Sequence, residues 1–326
     1  MSQTKEPIDI SIVIPAYNES ENITDTVKRI AATFAGRPER WEVIFVDDGS
    51  ADDTRAVIEQ LAEVDSHVIL AGYDRNAGRG RALRVGFAQA RGEIIVSTDA
   101  DLSYESRYIL DLVDALYTDL EIDFVLGSPY MPGGGTEGVD PKRLFISRLG
   151  NKILQATIDN SIHTFTGIFR AYRRGVLDSL ELESDGKEIH LEILSRALGT
   201  GYRMKEVPAV LHGREKGRSK FRFGGTALSH MLFSFNERPI LVFGGLGLLL
   251  LVGGFLGGVY VSILRFQGTL NPGRPLTTLA PMLMLAGLQV LSFGFIALQI
   301  SALRREVFKI QRESRLLHRE LRQERD

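Results

Sequence analysis

The sequence predicts an α/β domain built on a mostly parallel sheet, followed by two helices long enough to cross a bilayer. Two observations carry this. Over residues 8–210, short apolar runs alternate with segments of helical periodicity, the pattern of a sheet covered by helices on both faces. Beyond residue 238, Ile240–Leu264 and Leu276–Leu303 hold 25 and 28 residues without a charge, each more than the ~20 that a helix needs to span a hydrocarbon core of ~30 Å. A core helix of a soluble protein seldom runs that long without a charged face.

Taken in order, Ile10–Ile14 is a short apolar strand that Pro15 is expected to stop. Asn22–Phe34 has helical spacing, with Ile23, Val27 and Ile30 on one face. Trp41–Val46 is the next strand, Thr54–Val64 a helix carrying Val57, Ile58 and Leu61, and His67–Leu70 a third strand. Ala82–Ala90 is a third helix and Glu93–Ser97 a fourth strand. Sheets of this kind bind ligands beyond the carboxyl ends of their strands.

Phe221–Phe235 mixes aromatic and aliphatic residues with basic and small ones, which suits either a helix lying in a membrane interface or a core helix packing on the domain, with the nearby span favouring the interface. The resulting plan is a domain over 1–220, an interfacial segment over 221–238, two spans within 239–303 (about 240–264 and 277–303) and a charged helix over 304–326. Between the spans, Gly268, Asn271, Pro272, Gly273 and Pro275 mark a tight turn. Arg214, Lys216, Arg218, Lys220, Arg222 and Arg238 precede the first span and Arg304, Arg305, Lys309, Arg312 and Arg315 follow the second, while the connecting loop has only Arg265 and Arg274. That bias places both termini and the domain in the cytoplasm, on a multi-pass cell-membrane protein.

Composition excludes several classes. The chain has 326 residues, formal net charge -2 and no cysteine, so disulfides, thiolate zinc sites and cysteine nucleophiles are absent. The charge balance lacks the basic excess of a nucleic-acid binder. The polar stretch Met1–Asp9 does not read as a secretory signal. The six histidines are scattered, and none is assigned as a ligand.

Four polar clusters follow strands. Asp99-Ala100-Asp101 offers two carboxylates at a strand end, oxygen donors suited to Mg²⁺ or Mn²⁺. Asp47-Asp48-Gly49-Ser50 places a carboxylate where it can meet a base or ribose, with Ser50 or Asp52 able to cap the next helix. Pro15-Ala16-Tyr17-Asn18-Glu19 points polar groups to the same edge. Asn76-Ala77-Gly78-Arg79-Gly80-Arg81 opens a helix with glycines and arginines, an anion site made of backbone amides and side-chain charge.

In this order and at these positions, the four clusters resemble glycosyltransferase family 2 with the GT-A fold. Thr166–Arg173, Glu206-Val207-Pro208 and Arg214 to Lys220 resemble segments of polyprenyl- and dolichyl-phosphate hexosyltransferases, the dolichol-phosphate mannose synthase kind. The resemblance implies an inverting transfer of one hexose from a nucleotide-sugar (GDP-mannose or UDP-glucose) to polyprenyl or dolichyl phosphate. It implies Asp99, Asp101 and Ser103 as the metal site, and Pro15, Tyr17, Glu19, Asp48, Asn76, Arg79, Asp99 and Ala100 as the donor site. It implies Asp101, Arg143, Ser147, Arg214 and Lys220 as the reacting group of residues, the last four receiving the acceptor phosphate. The chain departs from the family in Pro129, where relatives carry an arginine, and in Ser103, where some carry glutamine.

Two other functions compete. Transfer to a glycolipid or protein hydroxyl would need a carboxylate base, for which Glu192 and Asp101 are candidates. A non-catalytic nucleotide-sugar-binding scaffold would not need both Asp99 and Asp101. Leu303, Val307, Ile310, Leu317 and Leu321 fall near heptad spacing, interrupted by Ser314, and suggest a homo-oligomer. Gly253-x-x-x-Gly257 and Gly254-x-x-x-Gly258 permit close helix packing, between copies or within one hairpin.

Overall fold

A computed structural model describes residues 7–157, 161–213, 239–269, 271 and 275–323. Two units emerge: residues 1–230 with 308–326, and residues 231–307.

The first unit is built on a seven-stranded sheet. In chain order its elements are β1 (Ile10–Ala16), α1 (Ser20–Phe34), β2 (Trp41–Asp48), α2 (Thr54–Val64), β3 (Val68–Tyr73), α3 (Arg79–Gln89), β4 (Ile94–Ser97), α4 (Arg107–Thr118) and β5 (Phe124–Ser128). Then come β6 (Gly135–Glu137), α5 (Pro141–Thr157), β7 (Arg170–Arg173), α6 (Arg174–Ser179), α7 (Ile189–Gly199), β8 (Met204–Pro208) and β9 (Val210–His212). The strand order is β3-β2-β1-β4-β7-β5-β8, and β6 pairs with β9 in a separate two-stranded sheet.

The central strands are buried along nearly their whole length, because helices cover both faces of a parallel sheet. α1 buries Ile23, Val27, Ile30 and Phe34, and α4 buries Ile109, Leu112, Val113 and Leu116. These are the 3.6-residue stripes that the sequence shows, each fully buried side chain stabilising by roughly 1.5–3 kcal/mol. α3 crosses β1 and β2 at Gly86, where an added methyl would lie 2.3 Å from Val13 Cγ1. Any larger residue there would push the helix off the sheet.

One expectation needs correcting. Pro15 does not end β1, which runs on to Ala16 with Pro15 opposite Val46. Pairing with β4 stops earlier, at Val13 opposite Ser97, so the missing proline N–H costs no ladder bond. The sheet is mostly parallel, as expected, with β7 running antiparallel to both β4 and β5.

β1 lies between β2 and β4, so the crossovers leave it in opposite directions. The carboxyl ends of β1 and β4 flank this switch point, where such sheets leave a ligand crevice.

The second unit is a helical hairpin of α8 (Pro239–Phe266) and α9 (Pro275–Gln323, whose last turns belong to the first unit). Phe243–Phe266 and Pro275–Leu303 are long and apolar enough to cross a membrane, and only 11% of each most apolar window is buried. That exposure separates them from the core helices of a soluble protein. Gly247 and Gly254 of α8 abut Leu291 and Met284, while Gly287 and Gly294 of α9 abut Leu251 and Phe243. The small residues therefore seat the hairpin on itself. Among the described residues, no neighbouring element comes within 4 Å of where a Cβ would sit on Gly253 or Gly258. The expected interfacial segment 221–238 lies outside the described residues.

Candidate active site

The loops expected to meet the donor are locked to one another. Asn18 N donates to Ser50 Oγ at 3.0 Å, Ala51 N to Asn18 Oδ1 at 2.8 Å and Glu19 N to Thr54 Oγ1 at 2.8 Å. These bonds tie the end of β1 to the β2–α2 turn and hold Pro15, Tyr17 and Glu19 at the sheet edge. Asp52 accepts from Thr54 Oγ1 at 2.5 Å and from Ser20 Oγ at 2.8 Å. Burial pushes its carboxyl up, but these hydrogen bonds outweigh burial and hold it below the usual carboxylate range.

Asp48 is the hub of the next layer. Its carboxylate accepts from Tyr73 Oη at 2.7 Å, Ala77 N at 2.8 Å, Asn76 Nδ2 at 2.9 Å and Gly78 N at 3.0 Å. Burial and the Asp48 carboxylate together push the Tyr73 hydroxyl upward, so it stays a donor. The carboxylate expected to meet a nucleotide thus fixes the 75–78 loop.

The amides opening α3 have a different use from the one expected. Gly80 N and Arg81 N donate to the Asp185 carbonyl at 2.7 and 3.2 Å. Glycine is needed there because a Cβ on Gly78 or Gly80 would come within 2.5 Å of a backbone oxygen of Ser184 or Asp185. The backbone anion site is therefore filled by the protein's own 183–186 loop. What α3 offers the sheet edge is Arg79, whose Nη2 donates to Asp99 Oδ1 at 2.9 Å.

Asp99-Ala100-Asp101 curls back beyond β4. Thr26 Oγ1 donates to the Ala100 carbonyl at 2.6 Å, pinning the loop to α1. Leu102 takes φ +45, an uncommon left-handed conformation, and Leu102 N closes the turn on Asp99 O at 3.1 Å. Ser103 donates to Asp101 Oδ1 from both Oγ (2.7 Å) and N (3.1 Å). The Ser103 hydroxyl proton is committed to Asp101, while its oxygen keeps acceptor lone pairs.

His212 was not foreseen here. β9 brings its N–H to the Ser103 carbonyl at 2.8 Å, and its ring lies 3.1 Å from Glu105 Oε1. No local signal revealed this, because the contact joins residues more than a hundred positions apart.

The acceptor-side expectations divide. Ser147 lies in α5 and accepts from Tyr130 Oη at 2.8 Å; its carbonyl accepts from Asn151 Nδ2 at 2.9 Å. Asn151 Oδ1 in turn receives Phe165 N at 2.8 Å. Glu206 accepts from Thr164 N at 2.8 Å, His163 N at 3.0 Å and His163 Nδ1 at 2.7 Å. Buried Arg170 donates to the carbonyls of Phe165, Gly167 and His190. The 163–168 loop is thus held from three sides. Arg143 sits one turn before Ser147 in α5; Arg214 and Lys220 lie outside the described residues. Glu192 is no exposed base: it is buried, pairs with Arg196 at 2.8 Å and accepts from Ser184 N at 2.9 Å.

The glycosyl transferase family 2 model matches residues 11–181, more than half of the chain. The chain belongs to glycosyl transferase family 2. Among relatives of this family 2 protein, polyprenol monophosphomannose synthase of Mycolicibacterium smegmatis is 33% identical over 69% of this chain and 85% of its own length. Undecaprenyl-phosphate 4-deoxy-4-formamido-L-arabinose transferase of Salmonella paratyphi A is 28% identical over 78% of this chain and 76% of its own. The fold is shared with glucosyl-3-phosphoglycerate synthase of Mycobacterium tuberculosis, solved with Mn²⁺, UDP and glucosyl-3-phosphoglycerate, at TM-score 0.55 and 20% identity over 71% of this chain and 80% of that one. As a family 2 member the protein is a glycosyltransferase, with its four sequence clusters gathered at one sheet edge.

Proposed function

We propose that this glycosyltransferase moves one hexose from a nucleotide-sugar to a polyprenyl phosphate at the cytoplasmic face of a membrane. The observation that carries the reading is the joining of Asp99 to Arg79, and of Asp48 to the loop before Arg79, at the switch point of the sheet. Two relatives whose names specify polyprenol or undecaprenyl phosphate chemistry support the acceptor.

Asp99 and Asp101, with Ser103 beside them, form an all-oxygen donor set at one turn. It fits Mg²⁺ or Mn²⁺, which need only one or two carboxylates when substrate phosphates complete the shell. An ion held there would neutralise charge on the departing diphosphate. Arg79 holds the Asp99 carboxylate in place. An acceptor phosphate oxygen attacks the anomeric carbon as the bond to the diphosphate breaks, inverting that centre. A phosphate monoester, with its second pKa near ~6, is largely ionised at neutral pH and needs no protein base. The protein's work is positioning, assigned on the acceptor side to Arg143, Ser147, Arg214 and Lys220, with Tyr130 holding Ser147.

The domain plan of 1–220, 221–238, 239–303 and 304–326 belongs to this proposal, with residues 1–238 cytoplasmic. α5 supports a membrane-surface site. Its outward face exposes Phe145 (67%) and Leu149 (49%) among Lys142, Arg148 and Lys152, opposite Ser147 and Asn151. Apolar anchors flanked by cations suit an anionic lipid surface.

The test is sugar transfer in membranes containing the protein, with radiolabelled GDP-mannose or UDP-glucose and added polyprenyl phosphate. Label is expected in the organic extract, dependent on Mg²⁺ or Mn²⁺. Label in protein or in water-soluble products, with none in lipid, would overturn the acceptor; full turnover in EDTA would overturn the metal.

A further inference from the structure

The transfer chemistry leaves the C-terminal part of α9 unused. The helix runs unbroken from Pro275 to Gln323, well past the span that ends at Leu303. From Leu303 onward one stripe steps by four and three residues in alternation: Leu303, Val307, Ile310, Ser314, Leu317, Leu321. This is a heptad seam with five of six positions apolar. Within it Leu303, Val307 and Ile310 are 67%, 43% and 64% exposed. Val307 and Ile310 lie beyond Arg304 and Arg305, which end the apolar span, so they stand outside the stretch that lipid would cover.

The flanking positions identify the partner. On one side of the seam stand Glu306, Glu313 and Glu320; on the other Arg304, Gln311 and His318. In a parallel pair each flank position meets the opposite flank of its partner five residues on, which sets Glu306 against Gln311 and Glu313 against His318. No like charges meet. In an antiparallel pair like flanks face each other, and glutamate would meet glutamate. Two copies inserted in one membrane in the same orientation present these helices in parallel. The outermost positions, Arg305, Arg312 and Arg319, are all arginine, as a solvated back face requires.

We propose that residues 303–321 form a parallel coiled coil with the same segment of a second copy of this chain. The seam is short for a free peptide, but the shared membrane supplies the high effective concentration that tethering gives. Ser314 sets one polar layer in the seam and favours the register in which the two serines meet.

The chain has no cysteine, so single cysteines report the contact without background. Val307→Cys and Ile310→Cys sit in the seam and Arg312→Cys on its back; each is placed in the full chain in membranes and oxidised. Seam positions bring Cα atoms into disulfide range and back positions do not, so 307 and 310 are expected to give at least about tenfold more cross-linked dimer than 312. No dimer at 307 and 310, or equal dimer at 312, overturns the proposal; the first result would mean that lipid or the chain's own domain covers the seam. Ile310→Glu provides an independent check in mild detergent, where the dimer is expected to become monomer; an unchanged dimer also overturns it. Neither measurement depends on sugar transfer.

Discussion

The sides of the sheet edge proposed for the donor and for the acceptor are held by different means. On the proposed donor side the loops bind each other through buried or half-buried carboxylates: Asp48 gathers four donors from the end of β3 and the loop after it, and Asp99 is joined to Arg79. On the proposed acceptor side the polar residues act mostly on backbone. Glu206 takes the amides of His163 and Thr164, Asn151 that of Phe165, and Arg170 three carbonyls. The first arrangement fixes the groups proposed to meet the donor. The second fixes the path of a loop and leaves its exposed face to vary.

Three substitutions measure the difference. The largest effect is expected from Asp99→Ala, which removes a carboxylate from the proposed reacting centre and releases Arg79. Transfer should fall by about 10²–10³ or more with little change in thermal unfolding, read from radiolabelled-lipid rates beside a melting curve. A rate within a factor of a few of the parent would show that this turn is not where charge develops.

Asp48→Ala should be felt as stability as well as turnover. It strands Asn76, Tyr73 and two backbone amides, and unsatisfied buried donors cost roughly 1–3 kcal/mol each when no water replaces the partner. The denaturation midpoint should drop and donor KM rise, with acceptor KM nearly constant. A normal midpoint would mean that the 75–78 loop does not depend on its carboxylate hub.

Glu206→Ala should have the smallest effect and the opposite selectivity. Losing the cap on His163 and Thr164 should raise acceptor KM by about tenfold, the equivalent of ~1.4 kcal/mol, with donor KM unchanged. Equal changes in both constants would erase the distinction between the two sides.

Much of this architecture is legible along the chain. β1, β2 and β4 are continuous apolar runs because both faces of the central sheet are covered, and α1 and α2 show plain helical stripes. The two candidate spans declare themselves by length without charge. What stays hidden is long range. β7 inserts antiparallel between β4 and β5, although its four residues look like no strand in particular. Gly78 and Gly80 read as a phosphate-binding turn, yet Asp48 takes the Gly78 amide and the Asp185 carbonyl those of Gly80 and Arg81. Glu192 reads as a possible base, yet it is buried against Arg196.

The sequence by itself determined the class of protein: an α/β domain with four polar clusters at strand ends, and a hairpin able to cross a membrane. Those properties depend on composition and short-range periodicity, which the chain carries locally. Tertiary structure alone decided what each polar residue touches. Asp48 meets residues 25 to 30 positions away, Thr26 holds Ala100, and His212 reaches Ser103. A hydrogen bond needs its partner within about 3 Å, and only the folded sheet edge brings partners so distant in sequence to that separation.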